Sequence, residues 1–270
     1  MPELPILPDA KYVKNGEYES AYFTLGDKGD EPLLLCHGLA ANGLQFVEDA
    51  KFFAAKNYYV IVPDLRGLGR SKMPPNPKER DFSIPNLASD LIAILDKEKI
   101  DEINWVGNSL GGILALFIIG SSPKRLKSLI TFGTAYNLDV PEALIPMLKF
   151  GTESLGKEIS AQIGAKAISL NKDAQAIIYE MVLKADIFVV ISIAKYVREY
   201  NFITNALSFE KPILFIRCST DFAVNAALKP TLEAMQNCSN FTLIDIKGAG
   251  HVANLDKPKE LRQAILDFLI

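Results

Sequence analysis

This sequence of 270 residues contains few histidines and cysteines and has only a small net charge. It contains two histidines and three cysteines, and its 29 basic and 32 acidic residues leave a net charge of −3. Three cysteines, Cys36, Cys218 and Cys238, are an odd number without paired metal-ligand spacing, so we expect reduced thiols in a cytosolic protein. Because acids and bases are interspersed, the composition argues against a nucleic-acid-binding surface or a polybasic membrane patch.

Long hydrophobic runs are also missing. The longest, around 113–119 and 187–194, are much shorter than the roughly 20 residues that span a bilayer, and residues 1–15 lack a signal-peptide pattern. The sequence therefore predicts a soluble, cytoplasmic protein that does not bind membranes. No metal constellation or phosphate loop is present, and Gly67-Leu68-Gly69-Arg70 lacks the remaining glycine of a dinucleotide fingerprint. We expect a small-molecule substrate, no metal and no cofactor; the oligomeric state stays open.

Apolar segments with strand character alternate with segments of helical periodicity. Strands are predicted near 11–15, 19–25, 32–37, 58–62, 103–107, 127–133, 212–217 and 240–246, and helices near 44–55, 85–99, 109–120, 225–236 and 257–269. A helix between successive apolar strands indicates a mostly parallel sheet covered on both faces. The first two strands are expected to pair as an antiparallel hairpin. This predicts an α/β fold with about eight strands.

Almost eighty residues separate the predicted strands at 127–133 and 212–217 without a strong strand pattern. Helical periodicity recurs there, at 142–149, 156–170, 173–185 and 187–200. A loop of this length is uncommon in a compact domain. The sequence therefore predicts a helical insertion.

A serine between two glycines follows the apolar strand at 103–106. The stretch Gly107-Asn108-Ser109-Leu110-Gly111 precedes an apolar helix, which is the strand, turn and helix order of a nucleophile elbow. A serine on so sharp a turn adopts strained backbone angles, and glycines two positions away on either side avoid clashes. Ser109 is therefore the candidate nucleophile.

An acid and a histidine follow in the order Ser, Asp/Glu, His that accompanies a nucleophile elbow. Asp221 comes after the predicted strand at 212–217, and His251 comes after the one at 240–246. Serine attacks a carbonyl only when an adjacent neutral imidazole accepts its proton, and a carboxylate must stabilise the resulting imidazolium. Of the two histidines, His251 is the candidate base, and His37 is expected to be structural, its ring bonded to nearby backbone.

Other carboxylates compete with Asp221 for the role of the acid. Asp139 lies after the strand that follows the predicted nucleophile helix, and Asp245 lies within the strand before His251. Asp64 is interpreted as structural, bracing its loop together with Arg66 through hydrogen bonds and an ion pair. The alternatives Asp139 and Asp245 stay open at this point.

Taken together, these motifs resemble the α/β-hydrolase superfamily over nearly the whole chain. The resemblance is carried by His37-Gly38, the run Pro63 to Ser71, the elbow at Ser109, Asp221, and Gly248-Ala249-Gly250-His251. It implies a serine esterase-like member with Ser109 as nucleophile, His251 as base and Asp221 as the acid. It also implies an oxyanion hole formed by the backbone N–H groups of Leu39 and Leu110.

The resemblance further implies that the helical insertion is a cap over the active site. The expected division is a core formed by 1–134 and 208–270, with a cap at 135–207. Carboxylic-ester hydrolysis through an acyl-enzyme is the leading interpretation, for small to medium acyl chains. Lactone hydrolysis, carbon–carbon bond hydrolysis of dienoic ring-fission products, and a small-ligand receptor on a hydrolase scaffold remain alternatives. Epoxide hydrolases and haloalkane dehalogenases are disfavoured, because they carry an aspartate where this chain has Ser109.

Overall fold

An eight-stranded sheet forms the centre of the computed structural model, which describes residues 4–142 and 154–270. The spatial order of the strands is β1-β2-β4-β3-β5-β6-β9-β10. Their bounds are β1 Lys11–Asn15, β2 Tyr18–Leu25, β3 Glu31–Cys36, β4 Tyr58–Pro63, β5 Ile103–Asn108, β6 Leu126–Phe132, β9 Ile213–Cys218 and β10 Phe241–Ile246. β1 and β2 form an antiparallel hairpin, β2 pairs antiparallel with β4, and all further neighbours pair in parallel. Both the mostly parallel sheet and the entry hairpin are thus confirmed.

Helices cover both faces of this sheet. Their bounds are α1 Val47–Ala54, α2 Ile84–Glu98, α3 Leu110–Ser121, α4 Lys157–Ile168, α5 Lys172–Lys184, α6 Ile187–Val197, α7 Ile203–Leu207, α8 Phe222–Ala226, α9 Lys229–Met235, α10 Ala253–Asp256 and α11 Pro258–Leu269. One hydrophobic cluster packs α2 and α3 against the sheet, and a second packs α1 and α11 against the opposite face. Central strands are therefore buried on both sides, which explains their continuous apolar sequences, such as Tyr58–Pro63 in β4.

The helix predicted at 225–236 is instead two helices. Asp221 caps α8 by accepting a hydrogen bond from the Val224 amide, so helical structure begins earlier than predicted. α8 ends at Ala226, and α9 starts at Lys229 with Pro230 in its first turn, a position that proline tolerates.

The segment between β6 and β9 contains two short strands that its sequence did not predict. β7, Asn137–Asp139, pairs antiparallel with β8, Glu199–Asn201. Three residues are too few for an alternating pattern to be recognised. The helix predicted at 187–200 therefore ends at Val197, whereas those predicted at 156–170 and 173–185 correspond to α4 and α5. The helix predicted at 142–149 lies, from residue 143 on, outside the described residues.

No helix within 4–142 or 154–270 is both long and apolar enough to cross a membrane.

A buried carboxylate at the end of α2 accepts hydrogen bonds from residues at the hairpin edge of the sheet. The Glu98 side chain is 5% exposed and accepts hydrogen bonds from the Tyr22 and Tyr59 hydroxyls, both at 2.8 Å, and from the ammonium groups of Lys28 and Lys11. Burial alone would raise its pKa, but these donors outweigh burial and lower the pKa from 4.5 to about 2. The folded state therefore favours the ionised form of Glu98.

We expect Glu98→Gln to lower Tm at pH 7 because it removes the charge that these donors stabilise. A carboxyl group with a lowered folded-state pKa contributes stability that is fully present above about 4.5 and lost as the pH falls through about 2. The Tm difference from wild type should thus shrink between pH 4.5 and pH 2 in thermal unfolding experiments. The control is Glu48→Gln, which alters an exposed ion pair with Lys51 and should change Tm little. A Glu98→Gln deficit that is constant with pH would contradict this account.

Candidate active site

The parallel strands place the predicted site residues at one edge of the sheet. β3, β5, β9 and β10 run in the same direction, so the loops after their carboxyl ends meet there. β4 and β5, consecutive strands, lie on opposite sides of β3, which makes the β3/β5 boundary the point where the strand order reverses. Ligands of open α/β sheets bind outside such a point.

Ser109 occupies a sharp turn between β5 and α3. Its φ of 51° and ψ of −114° are outside the regions that non-glycine residues favour, as a nucleophile elbow requires. Hydrogen bonds hold the turn in place: the Ser109 amide donates to the Phe132 carbonyl of β6 at 3.0 Å, and the Ser109 carbonyl accepts from Gly112 at 2.9 Å. The surrounding structure thus maintains a strained backbone at this serine.

The glycines of the elbow are needed because neighbouring backbone lies against them. A Cβ on Gly107 would overlap the Gly112 amide nitrogen, and one on Gly111 would overlap the Cys36 carbonyl oxygen of β3. A Cβ on Gly112 would approach Thr134 Oγ1 to 2.6 Å. The prediction that small residues make room for the turn is confirmed.

We expect Gly111→Ala to destabilise the fold, because the added methyl group meets backbone of a central strand, which cannot move aside. Overpacking of this kind lowers the free energy of unfolding by about 3 kcal/mol, which lowers Tm by roughly 6 to 12 °C for a protein of this size. Thermal unfolding measures the effect. The matched control is Gly164→Ala in α4, where a new Cβ has nothing within 4 Å among residues 4–142 and 154–270, so Tm should not fall. Equal Tm values for both variants would contradict the packing argument.

His251 and Asp221 are brought into direct contact. The His251 Nδ1 and Asp221 Oδ2 atoms are 2.8 Å apart, and Asp221 is 6% exposed. An ionised carboxylate can only accept a hydrogen bond, so the ring carries its proton on Nδ1 and Nε2 is left as the basic nitrogen. This is the tautomer that a general base requires.

Ser109, His251 and Asp221 line one cavity of about 340 Å³, together with Leu39 and Asn108. Within the described part of the chain, the His251 ring is hydrogen-bonded to Asp221 but not to the Ser109 hydroxyl. Hydrogen bonds of this kind are often long without substrate and tighten in the Michaelis complex. The structure therefore assembles the acid and the histidine, and places the serine beside them in the same cavity.

The loop after β3 lies against the elbow and contains Leu39. A Cβ on Gly38 would come within 3.3 Å of the Ser109 Cβ, so the two loops are in close contact, and Ala40 is held at a positive φ of 57°. Leu39 borders the cavity, and Leu110 is the first residue of α3. The Leu110 amide thus lies at a helix N-terminus, where backbone N–H groups favour negative charge.

The competing carboxylates have other partners. Asp245 is exposed and forms a bidentate ion pair with Arg217, and Asp139 is exposed on β7. Asp64 is buried and accepts hydrogen bonds from the Gly43 and Arg70 amides. Its ion pair is with Arg70 at 3.1 Å, whereas Arg66, which was expected to share this role, pairs with Asp90 instead.

The second histidine is fully buried behind the site. His37 Nδ1 is 2.8 Å from the Gly38 carbonyl oxygen, and its Nε2 accepts a hydrogen bond from the Leu65 amide at 3.0 Å. Burial lowers the pKa of this imidazole, which keeps it neutral. The prediction that the ring bonds nearby backbone is confirmed.

Several residues that hold the His251 loop were not predicted. The Asn108 amide group donates to the His251 carbonyl oxygen at 2.8 Å, and the His251 amide donates to the Ile168 carbonyl at the end of α4. Asp256 accepts hydrogen bonds from the Gly250 amide at 2.7 Å and from the Ser169 hydroxyl. The adjacency of Asn108 to Ser109 was a usable signal, but Ser169 and Asp256 are 87 positions apart and no local pattern links them.

Cys218 is the last residue of β9, three positions before Asp221, but it is not an accessible nucleophile. It is 2% exposed, and burial raises the pKa of its thiol to about 12. A thiol with so high a pKa carries little thiolate at neutral pH. Cys218 therefore serves in packing.

Comparison with known proteins relates the chain to hydrolases. A family model described as the alpha/beta hydrolase fold matches residues 31–167. The chain is 27% identical over 116 residues to a 3-hydroxybutyrate-oligomer hydrolase of Cupriavidus necator, covering 43% of this chain and 39% of the relative. It is 30% identical over 122 residues to 3-oxoadipate enol-lactonase 2 of Acinetobacter baylyi, covering 45% and 44%. The matched segments span less than half the length of these curated relatives.

The fold is shared more completely with solved structures. One, from work on carboxylesterases of the archaeon Nitrososphaera gargenis, superimposes with a TM-score of 0.82 at 21% identity. The alignment covers 96% of this chain and 97% of that one. The similarity at this identity concerns the fold.

Proposed function

The chain belongs to the alpha/beta hydrolase fold family, and from this premise we propose that it is a serine hydrolase that cleaves carboxylic esters through an acyl-enzyme. One observation carries the proposal: the Asp221–His251 pair, 2.8 Å apart, leaves the basic Nε2 of His251 in the same cavity as Ser109 on its strained turn. Serine esterase chemistry requires this combination of acid, neutral imidazole and exposed hydroxyl.

The proposed reaction proceeds in two stages. Ser109 Oγ attacks the ester carbonyl while its proton passes to His251 Nε2, and Asp221 stabilises the imidazolium. The Leu39 and Leu110 amides donate to the oxyanion, and each such donor contributes about 100- to 1,000-fold in rate. Proton transfer from His251 to the leaving alcohol yields the acyl-enzyme, and a water molecule activated by the same histidine then hydrolyses it.

Residues 135–207 are proposed to form a cap on a core of residues 1–134 and 208–270. This is supported by the contribution of α4 and α5 to the cavity of Ser109, through Ile168, Ile178, Met181 and Val182. Apolar side chains over the serine would exclude water and strengthen the electrostatic interactions inside.

Lactone hydrolysis is a second candidate, favoured by the enol-lactonase among the relatives. A lactone is a cyclic ester, so the same groups would act, with the leaving alcohol still attached to the acyl group.

The proposed location is the cytoplasm, which is supported by three free thiols.

The test compares wild type with Ser109→Ala on p-nitrophenyl acetate and on an aliphatic lactone. Under the proposal, wild type hydrolyses the ester and the variant does not, and the ratio of kcat/KM for the two substrates decides between esterase and lactonase. If the wild-type rate were no higher than that of Ser109→Ala on both substrates, the proposed function would be refuted.

A further inference from the structure

A second cavity, of about 410 Å³, lies next to the cavity of Ser109. Four residues line both of them: Leu39, Ala40, Ile168 and Val182. The second cavity lies between α4 on one side and the start of α6 with the end of α5 on the other. We call this second cavity the side chamber. The two cavities are therefore adjacent at Leu39.

Apolar groups dominate the described walls of the side chamber. Ala161 and Gly164 of α4 face Val182, Ala185 and Val190 across it. The one charged residue among the described lining residues is Lys157, which is exposed at the N-terminus of α4. Such walls offer hydrophobic burial and provide no buried charge to pair with an ionised ligand.

Gly164 leaves the side chamber open, although a glycine inside α4 lowers the stability of that helix. Glycine in a helix interior is destabilising by about 0.5 to 1 kcal/mol relative to alanine. At Gly111 the neighbouring backbone explains the glycine, but a Cβ on Gly164 would have no atom of the described residues within 4 Å. Packing within the protein therefore does not require this glycine, whereas space for a ligand does.

The leaving group and the acyl group of an ester must lie on different sides of Ser109. His251 Nε2 delivers a proton to the leaving oxygen, so the alcohol part lies next to His251. The side chamber shares Leu39, whose amide is a proposed oxyanion donor, with the cavity of Ser109, and His251 is not among its described lining residues. The acyl part is thus the one that points into the chamber.

We propose that the side chamber binds the acyl chain of the substrate, and that this chain is apolar and of medium length. The inference rests on the proposed esterase function and specifies its substrate class. Along α4, the chamber reaches from Ile168 to Lys157, which is about 16 Å at 1.5 Å per residue. Chains from hexanoyl to decanoyl should therefore be bound along most of their length.

The experiment measures kcat/KM for p-nitrophenyl acetate and p-nitrophenyl octanoate with wild type, Gly164→Leu and Gly164→Ala. Each methylene buried in the chamber raises kcat/KM by about threefold to fourfold, so wild type should prefer octanoate by at least about tenfold. Gly164→Leu fills the chamber and should lower the octanoate-to-acetate ratio by about tenfold or more. Gly164→Ala, the matched control, adds one methyl group and should keep most of the preference.

A second variant probes the opposite wall in case leucine in α4 disturbs folding. Ala185→Leu extends into the same space from the end of α5 and should lower the same ratio. A wild type that hydrolyses acetate but does not prefer octanoate, or folded variants that keep the wild-type ratio, would overturn the side-chamber inference alone. Acetate hydrolysis no faster than that of Ser109→Ala would overturn the proposed function and, with it, this inference.

Discussion

Ser109→Ala is expected to lower kcat for p-nitrophenyl acetate by about 10⁶-fold, to the level that the remaining site supports. The substitution removes the atom that attacks the carbonyl, so no acyl-enzyme can form, while the cavity and the proposed oxyanion donors stay in place. Initial rates under identical conditions measure the loss. Mass spectrometry provides a second readout, because wild type should gain the mass of an acyl group during turnover and the variant should not.

The matched control is Ser208→Ala, an exposed serine at the end of α7 whose hydroxyl donates to the Asn205 carbonyl. Its activity should equal that of wild type. Ser109→Ala should also keep the wild-type Tm within a few degrees, because it removes one hydroxyl and leaves the backbone turn as it is. If a folded Ser109→Ala protein kept more than a few per cent of the activity, Ser109 would not be the nucleophile.

Asp221→Asn is expected to lower kcat by about 10⁴-fold without a comparable loss of stability. An asparagine that donates to His251 Nδ1 makes this nitrogen an acceptor, so the ring proton moves to Nε2 and the imidazole can no longer accept the serine proton. Asparagine can still cap α8 through its side-chain oxygen, as Asp221 does now toward the Val224 amide. Activity should therefore be lost in a protein that remains folded, as checked by kcat and Tm together.

The competing carboxylates provide matched controls. Asp245→Asn removes an exposed ion pair with Arg217, and Asp139→Asn changes an exposed residue of β7, so both variants should retain activity near the wild-type level. Loss of activity in either of them, with Asp221→Asn active, would transfer the role of the acid to that residue.

Features that depend on residues close together in the chain could be predicted from the sequence, whereas features that depend on contacts between distant residues could not. The elbow was predictable because its strand, its glycines and its serine are consecutive. The central strands were predictable because buried parallel strands are continuously apolar. The split between α8 and α9 and the short strands β7 and β8 were missed, because capping by Asp221 and a pairing across some sixty residues leave no periodic signal.

The choice among the acids also depended on tertiary structure. Asp221 and Asp245 both lie near the carboxyl ends of neighbouring strands, and no local pattern decides which of them reaches His251. The structure places Asp221 in contact with the ring and pairs Asp245 with Arg217. In the same way, the side chamber depends on α4 and α6 facing each other across a cavity that neither helix forms alone.

The sequence by itself determined the sheet, its helical cover and the serine on its strained turn, because apolar periodicity and steric demands act between residues close in the chain. Only the tertiary structure decided which carboxylate contacts His251, which residues hold its loop, and which helices line the side chamber. Those features depend on contacts between residues far apart, such as Asn108 and His251 at a separation of 143 positions. Their geometry is set by how the strands and helices pack, and not by any one segment.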